Sequence, residues 1–460
     1  MMVRWLVVAG LVAGGVAPAA AQSQAEAPTS FRGSVPQGTA TAEPLPLSVS
    51  ETLDRALKFN LGLLLQEEEK NAAHGARWRA LADLLPNLRA NVSERRQVIN
   101  LEAYGFPAPD PIVGPFNVFD ARVLVSQRLV DLNALNNSRA ASYTEKAEVL
   151  GVRSARELVV LVAVNLYLEA ISASSRIDVA RAQLETAEVL LRQAQNLKGS
   201  GIVAGIDVLR ADAQVQRQRQ RLIVAENDFE KSKLRIARAI GLPPGQPIQL
   251  TTNIPYAPLA PVALEKALQD AFANRADYQA AAQRVAAAEA RARAASAERL
   301  PSLTFDADYG AIGQEVSNAA ATYSFGANLR VPIFEGGRAQ GRMIEADAEL
   351  RRERGIYADL RSRIDEEVRS AYLDVGAAAQ QVETAQTSVD LATQELAQAR
   401  DRFAAGVSDT IEVTRAQESQ ARASEDYISA LYQHNVAKAA LARAVGIAEE
   451  AIRTFAAGVK

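Results

Sequence analysis

At 460 residues the chain is long enough for two or three ordinary domains, and its net charge of −3 excludes bulk attraction to nucleic acid or anionic lipid. Aromatic residues are only 5% and alanine is abundant, a composition for long helices packed closely through small side chains rather than for an ordinary globular core. The absence of cysteine excludes disulfides, thiolate metal sites, thiol nucleophiles and a lipid on an N-terminal cysteine.

Residues 1–21 have the pattern of an export signal. Arg4 is the charged start, Trp5 to Val16 is apolar, and Ala19-Ala20-Ala21 fits a small-x-small cleavage site. The expected mature chain starts near Gln22, with a tail over 22–46. The apolar run falls short of the roughly 20 residues that a spanning helix needs. Further on, Leu158 to Leu168 is apolar, but Asn165 interrupts it and Glu169 ends it. Any membrane crossing is therefore expected to use strands.

From residue 47 the chain states one large unit twice: a first repeat over 47–241, a Pro-rich linker over 242–261, a second repeat over 262–446, and a tail over 447–460. Tyr167-Leu168-Glu169 returns 205 residues on as Tyr372-Leu373-Asp374. Gly201, Ile206, Asp207, Val208, Arg210 and Ala211 return as Gly406, Ile411, Glu412, Val413, Arg415 and Ala416, and Gly241 returns as Gly446. This spacing is far longer than the periods of about 20–50 residues found in solenoids.

Each unit reads as helix, strand pair, very long helix, tight turn and return helix. The leading helices are expected from about Ser50 to Leu85 and from about Val262 to Leu300, each stopped by the following proline, Pro86 or Pro301. Strands follow at about 88–98 and 117–128, and again at about 302–312 and 321–332. In the second pair Leu303, Phe305 and Tyr309, then Tyr323, Phe325 and Leu329, alternate with Thr304, Asp306, Asp308, Ser324 and Asn328. Period-two alternation over about ten residues suits a barrel strand with lipid on one side and water on the other. Arg95-Arg96 breaks the pattern in the first pair, and four prolines from Pro107 to Pro115 mark an irregular loop.

Long helices are expected over about 134–198 and 338–405, without proline, each a rod of roughly 100 Å. Ala170, Ala173, Ile177, Ala180, Leu184 and Ala187 step by three and four, and Val375, Ala378, Val382, Ala385, Val389 and Ala392 repeat the seam. Large residues alternating with alanine on a heptad predict closely approaching coiled-coil helices. Leading and return helices are each about half as long, so two placed end to end match one rod. The linker and tails are left to form a collar at mid-height. Four strands cannot close a barrel and an open edge cannot face lipid, so copies must associate. Two, three or four copies would all serve.

Only His74 and His434 are present, and His434 stands on the heptad where Phe229 stands in the first repeat. A structural metal site usually needs three or four ligands, and no Gly-x-Ser-x-Gly or phosphate-binding Gly-rich loop occurs. No enzyme, cofactor or metal site is inferred.

Across essentially the whole mature length the chain resembles the TolC-like outer-membrane efflux proteins. The resemblance rests on the duplicated unit, on Val331-Pro332-Ile333-Phe334-Glu335-Gly336-Gly337 before the second long helix, and above all on two turns. These are Gly201-Ile202-Val203-Ala204-Gly205-Ile206-Asp207-Val208 and Gly406-Val407-Ser408-Asp409-Thr410-Ile411-Glu412-Val413. It implies a mainly α fold with a small β-barrel: a homotrimer with a twelve-stranded barrel in the outer membrane and an α-helical tunnel reaching into the periplasm. It also implies an exit duct that docks a periplasmic adaptor, the membrane fusion protein, and an inner-membrane pump of RND or ABC type. The pump would select the cargo.

In that family the two turns form the periplasmic tip, where the adaptor docks and the entrance is gated. The resemblance thus assigns docking to Gly201, Ile202, Val203, Ala204, Gly406, Val407, Ser408 and Asp409, and the entrance to Asp207, Phe403, Ser408, Glu412 and Arg415. The chain departs from the best-known pattern at Phe403, which lacks a hydroxyl, at Ser408 in a basic position, and at Arg415 in an acidic one. Asp207 and Glu412 also suit the first turn of any helix. The competing reading is a periplasmic coiled-coil protein without a barrel, which offers no reason for two symmetric hairpins.

Overall fold

The computed structural model describes residues 29–107, 109–252, 256–258 and 263–458. The expected export signal lies outside them, as do parts of the N-terminal tail and linker. The described chain is mainly helical and is built as two copies of one unit. The first contains β1 (Leu45–Leu47), α1 (Val49–Phe59), α2 (Leu61–Ala82), β2 (Asn87–Asn100), β3 (Ile112–Val130), α3 (Leu132–Gly199) and α4 (Gly205–Ala239). After β4 (Ile248–Leu250) the second contains α5 (Leu264–Asn274), α6 (Ala276–Ala297), β5 (Ser302–Gly313), β6 (Ala320–Arg330), α7 (Arg338–Ala404) and α8 (Thr410–Val445). A last helix, α9 (Ala448–Gly458), follows.

Each leading helix is broken, where the sequence pattern predicts one continuous helix. Asn60 and Arg275 leave the helical region, with ψ of 128° and 116°. Asn60 then caps α2, its Oδ1 accepting the N–H groups of Gly62 at 2.9 Å and Leu63 at 3.4 Å. No proline marks either break and Gly62 lies within α2, so apolar periodicity runs through both.

The long helices have 68 and 67 residues, roughly 100 Å each. Asp131 starts α3, accepting the N–H of Ala134 at 2.9 Å. Four helices end alike. The N–H groups of Ile202, Leu242, Val407 and Ile447 each donate to the carbonyl five residues back, after a glycine with φ between 72° and 82°. This is the Schellman ending, and glycine adopts its left-handed residue without strain.

Two of those glycines form end-to-end joints. Gly241, after α4, packs so tightly on Phe59 that an added Cβ would lie 2.6 Å from the Phe59 Cβ. Gly446, after α8, lies against Arg275, where an added Cβ would come within 3.0 Å of the Arg275 nitrogen. The return helix of each unit thus abuts its own leading helix. Around α3 and α7 the wall runs α2–α3–α6–α7 towards the sheet and α4–α3–α8–α7 towards the turns.

The second joint is ionic. Arg275 is 2% exposed and bonds Asp277 at 2.7 Å and Glu367 at 2.5 Å. Burial by itself would raise the Asp277 carboxyl, but Arg275 outweighs it and holds the group below its ordinary value.

A cluster of short elements packs on the middle of α3 as a collar. β1 and β4 pair in parallel, and α1, α9 and these strands cover Val159, Val160, Ala163, Val164 and Tyr167. Tyr167 is fully buried and its hydroxyl donates to the Leu47 carbonyl at 3.0 Å. The apolar stretch of α3 is long enough to cross a membrane, yet half of it is buried in the protomer. Its apolar residues serve the collar.

On the opposite face of α3 lies a cleft of about 1340 Å³, lined by Leu158, Asn165, Glu169, Arg235, Arg363 and Arg443 among others. The wall therefore has a collar side and a charged cleft side.

Candidate functional site

The chain places two regions at its far ends: a four-stranded sheet and a pair of turns. The sheet is antiparallel throughout, in the order β2-β3-β5-β6, so β2 and β6 are open edges. Register puts Leu303 beside Leu329, Phe305 beside Ala327, Ala307 beside Phe325 and Tyr309 beside Tyr323. All six residues expected to face lipid therefore share one face. Across β3 that face continues through Val123 and Val125, and across β2 through Leu88, Ala90 and Val92. Tyr309, Tyr323, Phe325 and Leu329 are 63–73% exposed, so this apolar face has no cover within the protomer. Arg95 and Arg96 pair with Val118 and Asn117, beyond the apolar band and next to an irregularity at Gln97.

The other face is polar and tied together. Arg122 reaches Asp120 and Asp308, both at 2.7 Å, while Ser126 donates to Asp306 at 2.6 Å and Ser324 to Asp308. Gly310 makes room for this network, since a Cβ there would come within 2.6 Å of the Arg122 Cα. A slip of one residue in any strand would exchange the faces.

At the turns, Gly201 and Gly406 hold φ of 74° and 72°. Asp409 caps α8, its carboxylate accepting the N–H groups of Ile411 and Glu412 at 3.1 Å each. Ala204 holds the equivalent place before α4 and makes no side-chain cap. Asp207 pairs with Arg210 at 3.4 Å within its own helix. Glu412 instead pairs across its turn with Arg402 of α7 at 3.1 Å. Arg415 is exposed, and among the described residues it has no partner.

Phe403 takes a different place from the entrance lining that the resemblance implies. It is 2% exposed and packs with Leu190, Ala194, Leu396, Ala399, Val413 and Ala416, joining the two hairpins. Burying its ring is worth about 2 kcal/mol, which favours this core over an aqueous rim. Beside it a void of about 10 Å³ touches Gln214, Thr410 and Gln417. Gln214 Nε2 and Thr410 Oγ1 are buried there without partners, as is Ser408 Oγ nearby in sequence. The rim is apolar at Ile202, Ile206 and Val407, which are 51–68% exposed. Val203 turns inward to the Phe403 cluster.

A duplicated helical wall, a sheet with one bare apolar face and a pair of glycine turns are now placed, and comparison with known proteins gives them a family. The sequence profile described as "Outer membrane efflux protein" matches residues 52–242 and 267–447, most of the chain. The chain belongs to the outer membrane efflux protein family.

Among its relatives, the pyoverdine export outer membrane protein OpmQ of Pseudomonas aeruginosa is 28% identical over 70% of this chain and 67% of that one. Protein CyaE of Bordetella pertussis is 27% identical over 68% of this chain and 66% of that one. Among solved structures, the outer membrane protein VceC of Vibrio cholerae has the same fold, with a TM-score of 0.77 and 18% identity over 86% of this chain and 96% of that one.

This efflux protein is thus an outer-membrane exit duct. Its histidines serve packing and local bonding. His434 is fully buried against Tyr256, ring centroids 5.0 Å apart, and neither ring nitrogen has a partner. His74 bonds Glu145 at 2.6 Å and accepts from Trp78 Nε1 at 3.0 Å.

Sequence reasoning missed Arg402 because its repeat counterpart is Leu197, which carries no signal. It missed Gly310 because a glycine within a strand gives no hint of what lies across from it.

Proposed function

We propose that three copies of this chain close into one twelve-stranded barrel above a helical tunnel, and that the paired turns form a periplasmic entrance. There the apolar rim around Ile202 and Val407 receives a periplasmic adaptor, behind which stands an inner-membrane pump of RND or ABC type. Substrate passes through without chemistry, and the pump selects it.

One observation carries this reading: β2 and β6 are open edges of a sheet whose apolar face is bare. In lipid every backbone N–H and C=O must be paired, so those edges must meet other copies. A periplasmic coiled-coil protein without a barrel has no use for that face. In the entrance, Asp207, Glu412 and Arg415 set the charge, Ser408 adds a neutral hydroxyl, Gly201 and Gly406 shape the turns, and Asp409 holds the start of α8. Phe403 supports them from beneath.

Native mass measurement of the detergent-solubilised protein tests the assembly. Three chains per particle are expected, and a stable folded monomer would overturn it. Removal from membranes by carbonate alone would restore the barrel-free reading.

A further inference from the structure

We propose that neighbouring copies meet along α2 of one and α7 of the next, in one register: Gly75 level with Gly355, Trp78 beside Arg351, and Glu68 beside Arg363. The inference rests on the assembly proposed above but not on the number of copies.

Topology selects the two helices. α2 runs directly into the edge strand β2, and α7 follows the edge strand β6 after a short connection. These edges run in opposite directions, so they can pair antiparallel between copies. Pairing them sets α2 beside the next copy's α7.

Both helices carry an unused face. On α7 the side opposite the buried residues Leu360, Ile364 and Val368 bears Ile344, Arg351, Gly355 and Ser362, all exposed. On α2 the side turned from α3 bears Glu68, Gly75, Trp78 and Ala82, also exposed. A Cβ on Gly75 or on Gly355 would find nothing within 4 Å. Two backbones can therefore approach closely there.

Side-chain contacts across the protomer set the levels. His74 of α2 bonds Glu145 of α3 at 2.6 Å. One residue away, Thr144 accepts from Arg291 of α6 at 3.1 Å. Two residues from Arg291, Glu289 pairs with Arg354 of α7 at 2.8 Å. His74 and Arg354 thus stand at one height, and so do Gly75 and Gly355. Rotation about a common axis preserves height, so the match holds between copies.

Chemistry agrees with this register at two levels of the seam. At about 100° per residue, Trp78 and Arg351 both fall on the side of the seam away from the cleft. Arg351 has no partner among the described residues, and a guanidinium over an indole face is attractive. Glu68, only about 20° round α2 from Gly75, faces the seam, and Arg363 beside it lines the cleft and lies a loose 3.8 Å from Glu367. Acid meets base there, and the two levels agree with the Gly75–Gly355 level to about a residue.

The absence of cysteine makes a clean test. The full-length protein carrying Gly75→Cys with Gly355→Cys is oxidised in membranes and run on a denaturing gel. Within one chain these positions are three helix spacings apart, roughly 25–30 Å, too far for a disulfide. Covalent dimers and trimers that collapse on reduction are expected. The control, Gly75→Cys with Leu373→Cys, shifts the partner by roughly 27 Å along α7 and is expected to stay monomeric on the gel. Crosslinking of the control pair alone, or of neither pair in a protein that native mass shows to be assembled, overturns the register. A monomer by native mass overturns the assembly itself. Charge reversal gives an independent reading: Arg363→Glu should lower the fraction of assembled protein, and adding Glu68→Arg should restore it. Failure of that restoration counts against the Glu68–Arg363 contact.

Discussion

Arg402 Nε lies 3.1 Å from Glu412 Oε1, joining the last turn of α7 to the first turn of α8. The first repeat has no such bridge, since Leu197 stands where Arg402 stands in the second, and Asp207 turns to Arg210 instead. Each acid sits at a helix start and Arg402 at a helix end, where the helix dipoles favour them. The acids of the two turns are therefore compensated within each chain.

This compensation sets the expected ion selectivity. In planar bilayers Arg402→Ala should shift the reversal potential towards cations, and Glu412→Ala should shift it the other way. Arg415→Ala, which removes an unpaired cation, should also favour cations. An exposed pair contributes about 0.2–1 kcal/mol, so melting should barely change. Unchanged selectivity in all three variants would remove these residues from the constriction.

The sheet faces make the second prediction. Phe325→Arg should destabilise the assembled barrel by about 2–4 kcal/mol if it lies near the bilayer midplane, whereas Asn328→Arg on the polar face should be tolerated. Gly310→Ala should also impair assembly, because its methyl would overlap the Arg122 backbone. Heat-modifiable migration of the assembled species on gels measures all three. Tolerance of Phe325→Arg with loss at Asn328→Arg would mean the faces are exchanged.

Two glycines with the same φ should respond differently to substitution. At Gly406 a methyl would meet only Ile202 at 3.7 Å, an ordinary contact, so Gly406→Ala should cost about 1–2 kcal/mol of backbone strain. At Gly241 the same strain is joined by overlap with Phe59, so Gly241→Ala should cost clearly more. Thermal unfolding followed by circular dichroism orders the two, and equal losses would argue against a tight joint.

His434 supplies a pH dependence. Burial, and then the charge of Lys438, lowers its pKa from the ordinary 6.5. The unfolded chain therefore binds the proton more readily than the folded one. Its contribution to stability is full above about pH 6.5 and is lost as the pH falls towards the lowered folded value. His434→Phe, which copies Phe229 of the first repeat, should flatten the acid side of the stability profile. A parallel profile in the variant would show that another group titrates there.

The duplication, the rods, the strand alternation and the turn glycines were all legible in the chain, because each depends on local spacing. Helical period, strand parity and the need for positive φ at Gly201 and Gly406 are properties of neighbours in sequence. The breaks at Asn60 and Arg275 were not legible. They arise where α4 and α8 end against them, about 170–180 residues away in the chain, and no proline marks the spot.

The turns were half legible. Repeat position matched Asp207 with Glu412 and Arg210 with Arg415, but side-chain reach across a turn chose Arg402 as the partner of Glu412. Phe403, which the resemblance assigns to the entrance, is buried among the helices of the protomer, since whether a ring faces water depends on which helices surround it. Sequence by itself determined the elements, their order and their twofold repetition. Only the tertiary structure decided which charges are neutralised, which aromatic is buried and which helix faces remain bare, because pairing and burial are set by groups far apart in the chain.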